Sequence, residues 1–260
     1  MKSIIRTSRA PLLLFVLPAF SAFCQSQQTT PAIPRSCIPS AQNLHAHADW
    51  NKECEDRVAA IKGKPCDIIF IGDSITQNFV ETPKNGWNLV GRDVWDKHYG
   101  NRNALDFGVG ADRTENVLWR LDHMDVKDLR PKVAVVLIGT NNTDDTPVDI
   151  AAGVHAVIDK TQQIFPGVKV IVISILPNRR ATQKMADANT IISTIGDNRS
   201  IFYFDLASKM TAAGDNWKGV GFDHLHLTQQ GYETWASEME PLLSSLLPFS
   251  LRGASTPSAL

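Results

Sequence analysis

The chain has no excess of charge of either sign. Its 26 lysines and arginines stand against 27 aspartates and glutamates, a formal net charge of −1 over 260 residues. That balance offers neither nucleic acid nor an anionic membrane the counter-charge it needs. No apolar run reaches the roughly 20 residues of a bilayer-spanning helix. The nearest, Pro11 to Phe20, is too short. A dinucleotide fingerprint is missing, because Gly108-Val109-Gly110 lacks the third glycine and the distal acidic residue of that motif. The G-x-S-x-G elbow is missing too, since Thr76 fills the place of its second glycine. There is no internal repeat, no sign of a second domain, and no second cluster of metal-ligand side chains, so no metal and no cofactor is expected.

What the chain does contain begins at its N-terminus. Lys2, Arg6 and Arg9 precede an apolar stretch that ends in the small residues Ser21 and Ala22. That is the layout of a secretory signal, so residues 1–24 are expected to be removed and the mature protein to be secreted or periplasmic. Cys24 leaves a lipid-anchored form open, although Phe23 stands where a small residue is usual. Cys37, Cys54 and Cys66 are then an odd number in an oxidising compartment, and one disulfide among them is expected, its pairing open. Residues 25–42, rich in Gln, Thr, Pro and Ser, read as a linker or loosely packed arm. Residues 43–248 form one folded domain, with 43% hydrophobic residues along the chain to fill its core, and 249–260 read as a flexible tail.

Within that domain strands and helices alternate. Short apolar runs at 67–71, 104–108, 133–138, 168–175 and 201–205 have the composition of strands buried on both faces. Helical patterns lie near 43–61, 87–98, 113–121, 148–165 and 182–195, and a last one follows Thr228, an N-cap candidate. Trp50 reads as a packing anchor of the first. Such alternation predicts an open parallel sheet covered on both sides, with the ligand beyond the carboxyl ends of its strands.

Three segments at that edge carry chemistry. Ile69-Phe70-Ile71-Gly72-Asp73-Ser74 delivers a serine from the end of a buried strand. Ser74 is inert without a base unless it only caps a helix. Asp223-His224-Leu225-His226 supplies the base. His226 is favoured as the group that takes the proton from Ser74, with Asp223 fixing its tautomer, and His224 is the competitor. The other readings of these histidines are a braced loop or a metal site. Gly139-Thr140-Asn141-Asn142 offers a side-chain amide to a developing oxyanion, or else a turn in which Asn closes the strand. Asn141-Asn142-Thr143 is also a glycosylation sequon, and an asparagine lining the cleft is expected to be buried and unmodified. Asp112 and Arg113, after the glycines of 108–110, read as loop-bracing or helix-start residues.

Taken together these blocks resemble the GDSL esterase/lipase superfamily, or SGNH hydrolases, and within it the platelet-activating-factor acetylhydrolase-like branch. The resemblance rests on Phe70–Ser74, Phe107–Asp112, Val117–Leu121, Gly139–Asn142 and Asp223–Thr228 in the family's order. It implies a three-layer α/β/α sandwich with a five-stranded parallel flavodoxin-like sheet. It implies Ser74, Asp223 and His226 as catalytic residues, with an oxyanion hole from the amides of Ser74 and Ala111 and the side chain of Asn141. Gly110 and Asp73 stand as loop support. At position 111 the family pattern has glycine, and alanine keeps the N–H only if the local φ suits a Cβ. The activity implied is hydrolysis of short acyl esters, acetyl foremost, on a small-molecule or glycan substrate. Phospholipid or lysophospholipid hydrolysis is the enzymatic alternative, and a non-catalytic glycan-binding protein, using tryptophans such as Trp87 and Trp217, is the other. The oligomeric state stays open.

Overall fold

Five runs rich in Val, Ile and Phe become the five strands: β1 (Ile68–Gly72), β2 (Ala104–Gly108), β3 (Val133–Leu137), β4 (Lys169–Ile173) and β5 (Ile201–Phe204). The computed structural model describes residues 32–42, 49–210 and 217–247. All four neighbouring strand pairs are parallel, in the order β2-β1-β3-β4-β5. Alternate residues of each strand point to opposite faces. Ile69, Ile71, Phe107, Val136 and Val172 pack under α4 (Thr114–His123), α5 (Pro147–Ile164) and α6 (Thr182–Ile192). Ile68, Phe70, Val135 and Ile171 pack under α3 (Arg92–Tyr99) and α7 (Gln229–Leu246). This is the expected three-layer α/β/α sandwich with a flavodoxin-like strand order. From Ile33 onward the described residues form one compact unit.

The chain leaves β1 for β2 on one side and returns to β3 on the other, so the switch point of the sheet lies at the carboxyl end of β1. There a four-residue helix, α2 (Ser74–Gln77), lies across the strand ends. Only glycine permits that approach. A Cβ on Gly72 would stand 2.2 Å from Thr76 Oγ1 and 2.3 Å from the carbonyl oxygen of Leu137. Thr228 caps α7 as expected, accepting from the amide of Gly231 at 3.2 Å.

Several expectations need correction. The helix expected from Trp87 starts at Arg92, because residues 84–87 fold into a tight antiparallel turn with Asn85 and Gly86 at positive φ. Helix α1 covers Trp50–Ile61, and the start expected for it at residue 43 lies outside the described residues. The described part of the arm is not loose. Ser36, in a 3-10 turn at Arg35–Cys37, is fully buried, donates to the carbonyl of Asp149 and accepts at its own carbonyl from Thr114. Cys37, Cys54 and Cys66 are free thiols, so the disulfide expected among them is not formed. Burial pushes the thiols of Cys54 and Cys66 up to about 12. The signal segment with Cys24, residues 25–31 of the arm and the tail at 249–260 lie outside the described residues. No helix among the described residues is long and apolar enough to cross a membrane.

Candidate active site

Asp73 at the end of β1 is buried, and its Oδ1 accepts from the amide of Ile75 at 2.9 Å, capping α2. The capping role considered for Ser74 is thereby filled by its neighbour, and the serine hydroxyl is free for other work. Ser74 Oγ lies 2.8 Å from His226 Nε2, across 152 positions of sequence. His226 Nδ1 lies 2.6 Å from Asp223 Oδ2, and the other carboxylate oxygen accepts from the amides of Leu225 at 3.1 Å and His226 at 3.0 Å. Asp223 is thus fixed at both oxygens and holds the imidazole with Nε2 towards the serine. His224 takes a left-handed backbone, φ 55°, and its ring stands edge-on to Trp217 at 6.5 Å. That turn puts the two histidines on different sides and leaves the relay to His226. From α7, Tyr232 donates its hydroxyl to the carbonyl of Ile75 at 2.7 Å, bracing the helix that carries the serine.

The donors expected for an oxyanion are the amides of Ser74 and Ala111 and the side chain of Asn141. The backbone N–H groups of Ser74 and Ala111 are committed to no hydrogen bond among the described residues. Ala111 has φ 58°, so the alanine at the family's glycine position sits in the left-handed region that a Cβ disfavours. Gly110 does not take over that conformation; its carbonyl accepts from Gln42 at 3.2 Å. Asn141 is half-buried, and its Nδ2 donates to the carbonyl of Asp112 at 2.8 Å, with one N–H left over. Its neighbour Asn142 is fully buried and bonds the side chains of Thr114, Glu115 and Asp145. Of the pair, Asn142 is spent on the loop, and Asn141 keeps one amide N–H uncommitted.

A buried charge network holds this loop. Asp112 is fully buried against Arg120 at 2.6 Å and accepts the indole N–H of Trp50 at 2.8 Å, so Trp50 is a polar anchor as well as an apolar one. Arg120 also donates to the carbonyls of Phe107 and Gly72, joining the ends of β2 and β1. Arg113, at the start of α4, pairs with Glu115, Asp144 and Asp145 and donates to the carbonyl of Asn141 at 3.1 Å. Burial raises the carboxyl of Asp73 to about 7. Arg120, Arg180 and Phe222 went unread in sequence as parts of the site, while Trp87 was read only as a sugar-stacking tryptophan of the non-catalytic alternative and stands edge-to-face on His226 at 5.2 Å. For Arg120 the signal was present, since it interrupts the apolar face set by Val117, Leu118 and Leu121. For Phe222 the only hint was its place beside Asp223.

A parallel α/β/α sandwich with a serine, a histidine and an aspartate in hydrogen-bonded sequence at its switch point is the architecture of a serine hydrolase. The profile of the GDSL-like lipase/acylhydrolase family matches residues 70–234. The chain belongs to that family and is a serine ester hydrolase. The platelet-activating factor acetylhydrolase IB subunit alpha1 of Rattus norvegicus is 27% identical over 220 residues, 82% of this chain and 90% of that one. Among solved structures, a GDSL-like lipase from Bacteroides thetaiotaomicron superposes with a TM-score of 0.61 at 19% identity, covering 77% of this chain and 99% of that one. A carbohydrate acetylesterase family member from Sinorhizobium meliloti superposes with a TM-score of 0.52 at 14% identity, covering 70% and 99%.

Proposed function

We propose that the protein is an exported esterase that removes short acyl groups, acetyl foremost, from ring-shaped alcohols such as sugars, through an acyl-enzyme on Ser74. The observation that carries this reading is the continuous relay from Ser74 through His226 to Asp223, with contacts of 2.8 and 2.6 Å. His226 takes the proton as Ser74 Oγ attacks the acyl carbon. The charge that develops on the carbonyl oxygen meets the amides of Ser74 and Ala111 and the free N–H of Asn141. Collapse expels the alcohol, to which His226 returns the proton. Water, deprotonated in its turn by His226, then releases the acid and restores Ser74.

Because the proton goes from His226 to the departing alcohol, the alcohol must lie against that ring. Trp87 stands edge-to-face on His226 at 5.2 Å, and Phe222, 70% exposed, is 6.0 Å from Trp87. An open aromatic surface there suits the C–H face of a pyranose better than a short linear alcohol. The acyl preference draws on two likenesses whose names carry acetyl, a platelet-activating factor acetylhydrolase subunit and a carbohydrate acetylesterase family member. Export draws on the charge and apolar layout of residues 1–24.

The test is hydrolysis of p-nitrophenyl esters from acetate to octanoate, followed by acetylated methyl glycosides, with Ser74→Ala alongside. Turnover should peak at acetate and fall at least about 10³-fold in the variant. A preference for octanoate would turn the reading towards phospholipid or lysophospholipid substrates. Equal turnover by both proteins would remove Ser74 from the mechanism.

A further inference from the structure

An asparagine amide is a useful oxyanion donor only in one of its two orientations. Rotated by half a turn, it presents a lone pair where the oxyanion needs a proton, and the two forms have nearly the same shape. At Asn141 both ends are fixed by groups of opposite kind. The carbonyl of Asp112, which can only accept, holds Nδ2 at 2.8 Å. The guanidinium of Arg180, which can only donate, holds Oδ1 at 3.0 Å through Nη2 and the carbonyl of Thr140 at 3.1 Å through the same nitrogen.

Arg180 is itself placed by a rigid turn. The fully buried Asn178 accepts from the amides of Arg180 and Ala181 at 3.0 and 3.1 Å and donates to Thr140 Oγ1 at 3.1 Å. The loop after β4 is thereby pinned to the loop after β3, with the guanidinium over Asn141. Among the described residues no carboxylate pairs with Arg180, and the acids that act on it, Asp73 and Asp223, act at a distance. Its Nη2 is therefore spent on Asn141 Oδ1 and the carbonyl of Thr140 rather than on a counter-ion. A cationic donor on Oδ1 also draws electron density through the amide, making the remaining Nδ2–H a stronger donor.

We propose that Arg180 is a positioning residue that locks the amide of Asn141 in its donor orientation and strengthens it as the oxyanion forms. This rests on the esterase reading above. The test is a double-mutant cycle on p-nitrophenyl acetate with Arg180→Ala, Asn141→Ala and the pair. Asn141→Ala should lower kcat by about 10²–10³, the range for loss of one oxyanion donor. Arg180→Ala should lower kcat by about 10–100-fold, with KM within about twofold of the parent, because the amide contact it perfects belongs to the transition state. The double variant should be within about threefold of Asn141→Ala alone, since Arg180 has nothing to act on once the amide is gone. Arg180→Met, which keeps the stem and removes every donor, gives a second cycle should the alanine variant fail to fold. Losses that multiply in the double variant, or an effect carried by KM alone, would overturn the role of Arg180 while leaving the esterase intact. A parent enzyme without turnover would take both readings down.

Discussion

At the scale of single residues the site carries a visible conformational cost. Ala111 holds φ 58° with a Cβ in place, in a loop where its own N–H has no hydrogen-bond partner among the described residues. A non-glycine residue in that region costs on the order of 1 kcal/mol or more. Replacing it by glycine relieves the cost but frees the unfolded chain, which returns about 0.4–1 kcal/mol. Ala111→Gly should therefore leave the fold unchanged or more stable by up to about 1 kcal/mol in urea denaturation, with the N–H donor and the turnover retained. A loss of stability would mean that the alanine methyl makes packing contacts worth more than the backbone strain. The same loop shows what sequence can say of a residue and what it cannot. The expectation that Asn141 faces the cleft comes from the motif and its place after a strand. That Arg180, 39 positions away, orients it depends on two loops meeting in space, and no local pattern records such a meeting.

At the scale of elements, the serine is exposed to substrate because α2 is pressed onto the ends of β1 and β2. The contact leaves no room for a methyl group on Gly72, whose surroundings are a hydroxyl and a backbone carbonyl rather than a yielding side-chain end. Gly72→Ala should thus displace α2 or split the sheet at β3, costing several kcal/mol, on the order of the largest single-site effects. In circular dichroism melts the expected result is a fall of more than about 10 °C or no cooperative transition. An unchanged melt would show that the sheet end yields. Strands were the most legible elements, because each is a short β-branched run buried on both faces, and five of them with intervening helices leave few topologies. The start of α3 was misread because Trp87 and the residues after it have helical composition, while Asn85 and Gly86 impose a turn just before. The arm at 32–42 was misread for a different reason. Its polar composition resembles a linker, yet Ser36 sits beneath Gly153 of α5, where a Cβ would come within 2.8 Å of the serine Cβ. Packing against a distant glycine leaves no mark in local composition.

At the scale of the whole molecule, the carboxyl edge of the sheet concentrates buried acids. Asp73, Asp106 and Asp112 are raised by burial to about 7, 7 and 6, and the opposing arginines, Arg57 at 3.4 Å from Asp106 and Arg120 at 2.6 Å from Asp112, only partly offset it. Asp73 is the simplest of the three, because its Oδ2 has no hydrogen-bond partner and no cation touches it. A carboxyl whose pKa is higher in the folded chain than in the unfolded one binds more protons when folded, between the ordinary value near 4 and the raised one. Stability from that source is present below the lower value, declines as pH rises through the window, and is level above about 7. The protein should accordingly melt higher near pH 5 than near pH 8. Asp73→Asn separates this effect from the rest of the titration, because the amide oxygen still caps Ile75 while the group can no longer ionise. The variant should match the parent near pH 4 and exceed it at pH 8, by up to about 4 kcal/mol for a carboxyl raised from near 4 to about 7. Stability that rises from pH 5 to 8, or an asparagine variant weaker at pH 8, would show that Asp73 is ionised in the fold and held by its surroundings. Were the expected order found, the lone carboxylate under the nucleophile would be a proton store whose filling steadies the β1–α2 turn, the turn from which Ser74 reaches His226.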